Sequence, residues 1–596
     1  MADPQQVIGA RVRAALGAAF GADYADTDPL IRPSSFADFQ ANAALPLAKR
    51  LGRPPRDIAA EIVGHLDISD ITAEPTVSGP GFINFTLRPE WVATATTALL
   101  ADPRLGVPLT DAPQTVVVEY SSPNIAKEMH VGHLRSTIVG DAIARVAEFA
   151  GHHVIRDNHV GDWGTQFGML IEYLFEIGED ASEAQLLRTD PNSFYQAARV
   201  KFDTDHGFAD RARERVVKLQ SGDDPATQRL WDELMELSRL YLADVYRLLR
   251  VTLTDDDIRG ESFYNDMLPG VAADLEAMGL ATISDGALCV FPPGFTGRDG
   301  SQLPVIIRKR DGGYNYSTTD LATIRYRIDK LNANRAIYVV GSDQALHFSM
   351  IFAVARMAGW LPAEADFRHA QIGMVQGEDG HRLRTRAGDN VKLSDLLTEG
   401  IERARAILDE VERDEQDSGL SAGVAGGRPP EGHGLDLGAI AEDVGIGAIK
   451  YADLSTARDS AYVFDWDRMI SFRGNTGPYL QYATTRIRSI FRRAGITETD
   501  VSGPILVTEP AERELALKLL GFGAAVTQVA GTTEPHRLCG YLFEVASLFT
   551  AFYEKCPVLK ATGDETRQSR LALCAATLRV LTAGLGLLGV PVPDRM

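Results

Sequence analysis

The sequence predicts a multidomain α/β protein: a doubly wound, Rossmann-like parallel sheet between an N-terminal α+β domain and a C-terminal α-helical bundle. Three observations lead there. The chain has 596 residues, too many for one hydrophobic core. From Val116 onward strand-like runs alternate with helical patterns, the signature of parallel strands joined by crossover helices. Beyond Ala439 apolar residues recur at spacings of three and four with no strand pattern between them.

Taken in order, the first domain spans 1–108. Helical spacing runs over Val7 to Phe20, Phe39 to Leu51 and Pro55 to Leu66, and Gly81 to Leu87 alternates like a strand. A linker-like stretch follows from Asp102 to Pro113. The sheet domain is placed at 109–400. Its strand candidates are Thr115 to Tyr120, Val154 to Asp157, Leu303 to Ile307, Ala336 to Val340 and Gln371 to Val375. A charged, largely helical segment at about 181–300 separates the early strands from the late ones and reads as an insertion. A linker is placed at 401–440; within it the stretch from Asp409 to Leu437 turns acidic, then rich in Gly and Pro, and is expected to form a flexible surface segment. The bundle occupies 441–596.

Bulk numbers narrow the functional classes. Hydrophobic content of 45% and charged content of 24% are those of an ordinary globular protein. No uninterrupted apolar run reaches the ~18 residues of a membrane span, and the N-terminus lacks the layout of a secretion signal, so a cytoplasmic protein without a membrane partner is expected. Cys289, Cys539, Cys556 and Cys574 form no Cys-x-x-Cys pair, which points to reduced thiols and to no protein-bound metal. The net charge of −21 does not exclude a polyanionic partner, because basic residues gather locally from Arg486 to Arg493 behind the aromatics Tyr479 and Tyr482.

One motif carries chemistry. His130 and His133 flank Gly132 where the Thr115–Tyr120 strand gives way to a helical pattern. Positions i and i+3 of a starting helix share a face, so both imidazoles can meet one phosphate beside the positive end of the helix dipole. Gly132 leaves the backbone open to close approach. Donors in that position stabilise charge on an attacked α-phosphate without acting as nucleophiles.

With Ser121 to Thr137, the stretches Asp38 to Asn42, Gly79 to Asn84, Gly161 to Gly168, Tyr338 to Gln344, Thr385 to Gly388 with Val391 to Leu393, Asn475 to Tyr482 and Cys556 to Leu559 make the chain resemble a class I aminoacyl-tRNA synthetase, specifically the arginyl-tRNA synthetases. The resemblance implies ATP-dependent ligation of L-arginine to its tRNA through an arginyl-adenylate, with Mg2+ carried by the nucleotide. It implies catalytic roles for His130, His133 and Lys127, the last replacing a lysine usual at Arg384. It places ATP on His130, Gly132, His133, Gly161, Asp162, Arg384, Thr385 and Arg386. Arginine falls to Glu119, Asn124, Tyr316, Asp320 and Gln344, and tRNA to Tyr479, Tyr482 and Arg486. An N-terminal domain meeting the tRNA elbow, an anticodon-reading bundle and a monomeric state are also expected. Two competing readings are a small-molecule nucleotidyltransferase, which the length disfavours, and a silent tRNA-binding relative, which the intact histidines disfavour.

Overall fold

The computed structural model describes residues 3–125, 128–377, 379–383, 391–418 (side chains to 410) and 436–596. At its centre lies a four-stranded parallel sheet in the order Asp366–His369, Arg335–Tyr338, Thr115–Glu119, His153–Asp157. The chain leaves Thr115–Glu119 to one side and later returns on the other, so the direction of winding reverses beside this strand. Ligands of such sheets bind at that crevice, outside the carboxyl ends of the strands. The register brings those ends into one row: Glu119 lies opposite Tyr338 and Asp157, and Tyr338 opposite His369. Val116, Val117 and Val118 are fully buried, as a central strand covered on both faces requires.

Two strand expectations need correction. Val305–Arg308, within the Leu303–Ile307 candidate, belongs to a separate antiparallel sheet with Ala281–Ser284 and Ala287–Val290. The fourth parallel strand is Asp366–His369 and not Gln371 to Val375; only Ile372 bridges back to Gly341, and Val375–Gln376 pairs instead with Tyr462–Val463. An apolar run bounded by turn residues does not reveal which sheet it joins.

In the first domain, Phe39–Ala41 is a strand and the helix begins only at Ala44, so Phe39 to Leu51 is not one helix. Phe39–Ala41 pairs with Phe82–Phe85, where Gln40 Nε2 donates to Asn84 Oδ1 at 3.0 Å. Arg513 of the bundle grips Asp38 bidentately at 2.8 and 2.6 Å, tying the two ends of the chain together.

The 181–300 segment expected to be an insertion carries the helices Pro191–Thr204, His206–Ser221 and Pro225–Leu249, followed by Leu268–Ala277 and a β-hairpin that pairs onward with Val305–Arg308. The helix Leu393–Ser418 continues through the first ten residues of the Asp409–Leu437 stretch expected to be flexible; the remainder of that stretch lies almost wholly outside the described residues. From Leu437 the chain is helical, as expected: Leu437–Leu454, Gly477–Ala494, Pro510–Leu519, Phe522–Thr532, His536–Lys555 and Asp564–Leu587. Pro510–Thr532 and Asp564–Leu587 have the length and apolar content of membrane spans, but the second is largely buried, as a bundle-core helix is.

Candidate active site

The histidine pair builds its own helix start. His130 is the N-cap of the helix Val131–Phe149 and its Nδ1 accepts the Gly132 N–H at 3.0 Å, while the His130 N–H donates to His133 Nδ1 at 3.1 Å. Their rings lie 4.0 Å apart at 34°. Because both Nδ1 atoms accept from backbone, both neutral rings carry their proton on Nε2, so each presents a donor on its far side. Gly132 has a reason the sequence did not show: a Cβ there would come within 2.8 Å of His130 Cε1, so the glycine makes room for the capping ring itself.

The approach to this cap is held in an unfavourable shape. Ser121 and Ser122 both lie in the left-handed region, at φ 68° and 45°, which costs about 1–2 kcal/mol each. A network offsets the cost. Ser121 Oγ is 2.8 Å from Tyr246 Oη and accepts from Thr137 Oγ1 at 3.0 Å, and the Ser122 N–H donates to Asn158 Oδ1, which lies beside a second Tyr246 bond from Asn158 Nδ2. At about 1 kcal/mol net per bond the balance closes. The helix Pro225–Leu249 of the insertion supplies further support from the same side: Tyr241 Oη accepts from the Met129 N–H at 3.0 Å, Ser238 Oγ donates to the Ile125 carbonyl at 2.7 Å, and Trp231 Nε1 donates to the Asp162 carbonyl at 2.8 Å. The insertion thus braces the motif.

On the other flank Val391 and Leu393 zip to the motif. Val131 N–H donates to Val391 O and Leu393 N–H to Met129 O, both at 3.0 Å, and Lys392 Nζ meets Glu128 Oε2 at 2.8 Å. Arg135, one turn into the motif helix and fully buried, donates from Nε to Asp453 at 2.8 Å and from Nη1 to the Ser460 and Gly373 carbonyls at 2.6 and 3.1 Å. Lys127, Arg384, Thr385 and Arg386 lie outside the described residues.

The strand ends form an acidic pocket. Glu119 is buried, and burial pushes its carboxyl up, opposed by Arg327. Arg327 Nη2 reaches Glu119 Oε2 at 2.5 Å and Asp157 Oδ2 at 3.0 Å. Asn124 is exposed and forms a parallel bridge with Gly161, whose missing Cβ leaves the space that Asn124 Oδ1 occupies. Asp162 is turned inward: its carboxylate accepts from the Ser262 N–H at 3.0 Å and Ser262 Oγ at 2.6 Å. It therefore anchors the neighbouring loop through its side chain.

Tyr316, Asp320 and Arg327 stand on one face of the helix Tyr316–Asp329, at spacings of four and seven, and descend into the pocket. Tyr316 is 60% exposed at the mouth, Asp320 is half-buried, and Arg327 is fully buried at the base. Asp320 Oδ2 accepts from His347 Nε2 at 2.5 Å, and the Tyr316 ring meets the His347 ring edge-on at 4.9 Å. Gln344, exposed, caps the helix that carries His347. Four residues of this site escaped the sequence reading: Asp157, which it saw only as a strand end, Arg327, His347 and Glu261. Glu261, whose N–H donates to Val160 O at 3.1 Å, is pushed up by burial and by the neighbouring Asp162 and Asp320, with His159 opposing. Helical spacing from Asp320 could have flagged Arg327; nothing local flags Glu261.

The tRNA candidates Tyr479, Tyr482 and Arg486 are half-buried on one face of Gly477–Ala494. Tyr479 packs on Phe543 at 5.8 Å, Tyr482 on Phe472 at 6.5 Å, and the Arg486 guanidinium stacks 4.5 Å over Tyr553. The basic run is less available than its composition suggests, because Arg488 donates to Pro593 O at 2.8 Å and Arg492 to Asp594 O at 3.4 Å.

Residues 95–466 match the family "tRNA synthetases class I (R), catalytic domain", residues 480–596 the "DALR anticodon binding domain", and residues 6–87 the "Arginyl tRNA synthetase N terminal domain". The chain is 61% identical to an arginine–tRNA ligase of Thermobifida fusca over 596 residues and 49% identical to one of Synechococcus elongatus over 603, covering all of both chains each time. Its structure resembles that of an arginyl-tRNA synthetase from Plasmodium falciparum (TM-score 0.82, 30% identity) and one from Thermus thermophilus (TM-score 0.80, 25% identity), again over the whole of both chains. A braced histidine turn, an acidic pocket at the strand ends, a helical bundle and these three matches together make the chain a member of the class I arginyl-tRNA synthetases.

Proposed function

We propose that the acidic pocket binds L-arginine and the histidine turn binds the phosphates of ATP in an arginine–tRNA ligase reaction. Arginine's carboxylate attacks the α-phosphate of ATP, pyrophosphate leaves, and the resulting arginyl-adenylate passes its acyl group to the terminal ribose of tRNA with release of AMP. Mg2+ arrives with the nucleotide as part of the substrate. The single observation behind this reading is the convergence of Glu119, Asp157, Asp162, Glu261 and Asp320 at the carboxyl ends of the sheet beside the His130–His133 cap.

In this reading His130 and His133 donate from Nε2 to phosphate oxygens, stabilising charge as it develops on the α-phosphate. Gly132 and Gly161 shape the nucleotide site by making room for the His130 ring and the Asn124 side chain, and Asp162 holds the loop beside it. Asp320, with Tyr316 closing over the mouth, takes the guanidinium; Glu119, Asn124 and Gln344 take the amino-acid end. Lys127 supplies phosphate charge in place of the lysine replaced by Arg384, with Thr385 and Arg386 in the same loop. Unchanged tRNA-dependent ATP–pyrophosphate exchange in Lys127→Ala would remove it.

Tyr479, Tyr482 and Arg486 stack unpaired anticodon bases. The division at 1–108, 109–400 with its insertion, 401–440 and 441–596 assigns elbow contact, adenylation, linkage and anticodon reading in turn, in a cytoplasmic monomer. Asp320→Asn tests the pocket: a rise of at least tenfold in the KM for arginine, with the KM for ATP little changed, is expected. Equal KM values for arginine in the variant and parent would overturn it.

A further inference from the structure

Arg327 is an unexpected group at the base of a site meant for a guanidinium. It is fully buried, and its Nη2 binds the last residues of two adjacent strands, Glu119 and Asp157. Its guanidinium also lies 4.7 Å over the ring of Tyr338, the last residue of a third. Those three residues are in register, so one side chain of the helix Tyr316–Asp329 ties three strand ends together exactly where the chain reverses its winding. The same helix presents Asp320 two turns earlier on the same face.

We infer that Arg327 is a positioning residue that fixes which way round the substrate arginine lies. This role rests on the pocket assignment above and on which carboxylates are already occupied. A carboxylate that already accepts from an internal guanidinium offers a second guanidinium a poor bidentate partner, and two like-charged guanidinium groups would be brought together in a poorly solvated place. Glu119 and Asp157 are thereby closed to the substrate's side-chain end. Asp320, engaged on Oδ2 by His347 alone, and Glu261 have no arginine or lysine partner among the described residues and are left to it. The ammonium of the substrate needs only one acceptor, which the Glu119 oxygen not facing Arg327 still provides.

A second consequence concerns charge. The groups facing Glu119 are Arg327, His159 and Asp157, with Tyr264 and Tyr338 alongside. Burial favours the neutral carboxyl and Arg327 is the largest group opposing it, so loss of Arg327 shifts Glu119 further toward its neutral form.

The test compares Arg327→Lys and Arg327→Met with the parent in tRNA-dependent ATP–pyrophosphate exchange from pH 6 to 9, with Glu119→Gln alongside. In Arg327→Met the KM for arginine should rise tenfold or more with the KM for ATP within about twofold. The rise should deepen toward low pH, since Glu119 without its partner takes up a proton more readily. Arg327→Lys should restore the flatter pH profile while leaving a raised KM, because one ammonium cannot reproduce the planar fork. Competitive inhibition by agmatine, which keeps the guanidinium and the amine, should weaken in parallel.

If Arg327→Met raises both KM values alike, or shows the parent's pH profile, the orienting role is wrong. An Arg327→Met protein that does not fold leaves Arg327→Lys to decide: an unchanged KM for arginine there overturns the proposal. If instead Glu119→Gln leaves the KM for arginine unchanged, it is the assignment of Glu119 to substrate that fails.

Discussion

His130 and His133 hold each other in place: the backbone N–H of the first donates to Nδ1 of the second at 3.1 Å, and their rings sit 4.0 Å apart. The pair is therefore a single preorganised unit whose outward donors are fixed by backbone, and Gly132 is the space in which it forms. Gly132→Ala should push the His130 ring aside and lower kcat/KM for ATP by about a hundredfold, the cost of displacing a catalytic group by ~1 Å. Parallel measurement of Tm should show a small change, because only one cap is disturbed. Retention of full exchange activity by the alanine variant would dissociate the cap from catalysis.

Arg135 and Asp453 form a fully buried ion pair joining the motif helix to Leu437–Leu454 of the bundle. Burial pushes the Asp453 carboxyl up, with Arg135 opposing. Arg135→Met should cost about 3–5 kcal/mol, since it strands a buried carboxylate. Adding Asp453→Leu should recover much of that loss. Thermal unfolding of the two single variants and the double variant checks this, and strict additivity would contradict it.

Lys450 is fully buried, donates to the Leu249 carbonyl at 2.6 Å, and has its ammonium pushed down to about 8 by burial. A base with a lowered folded-state value is charged more readily when unfolded, so it weakens the fold below pH 8 and ceases to do so as pH rises toward the ordinary lysine range. Relative to Lys450→Met, the parent should therefore gain stability between pH 7 and pH 10, by up to about 3 kcal/mol. Denaturation curves of both proteins across that range provide the check; a gain in the opposite direction would be inconsistent with a charged, buried Lys450 at neutral pH.

Within Asn475 to Tyr482 the residues divide between structure and recognition. A Cβ at Gly477 would lie 2.5 Å from the Gly447 carbonyl, and Gln481 is buried, donating to Asp443 O and Pro591 O at 2.8 Å. Gly477→Ala should lower Tm by separating two crossing helices. Tyr482→Ala should leave Tm nearly unchanged and raise the KM for tRNA by roughly 5- to 150-fold, the worth of one lost base stack at about 1–3 kcal/mol. An unchanged KM for tRNA would remove Tyr482 from the recognition surface.

The sequence made the parallel sheet, the strand-to-helix turn and the bundle legible because periodicity and β-branched runs report local structure directly. It misplaced Gln371 to Val375 and Leu303 to Ile307 because sheet membership depends on long-range pairing that an apolar run does not encode. The motif histidines were legible in type but not in geometry: nothing in the letters says that Gly132 accommodates His130. Arg327 and Glu261 were missed for a related reason. One reaches the site from the far end of a helix and the other from within the 181–300 segment, and only the folded chain brings either to Glu119 and Asp320.

The central claim is that Asp320, above the strand-end carboxylates held by Arg327, selects the guanidinium of arginine for adenylation and transfer to tRNA. Charging of total tRNA with each of the twenty amino acids, with and without ATP, tests it most directly. Arginine alone should be charged, and only with ATP. Charging of lysine or any other amino acid at a comparable rate would contradict the account.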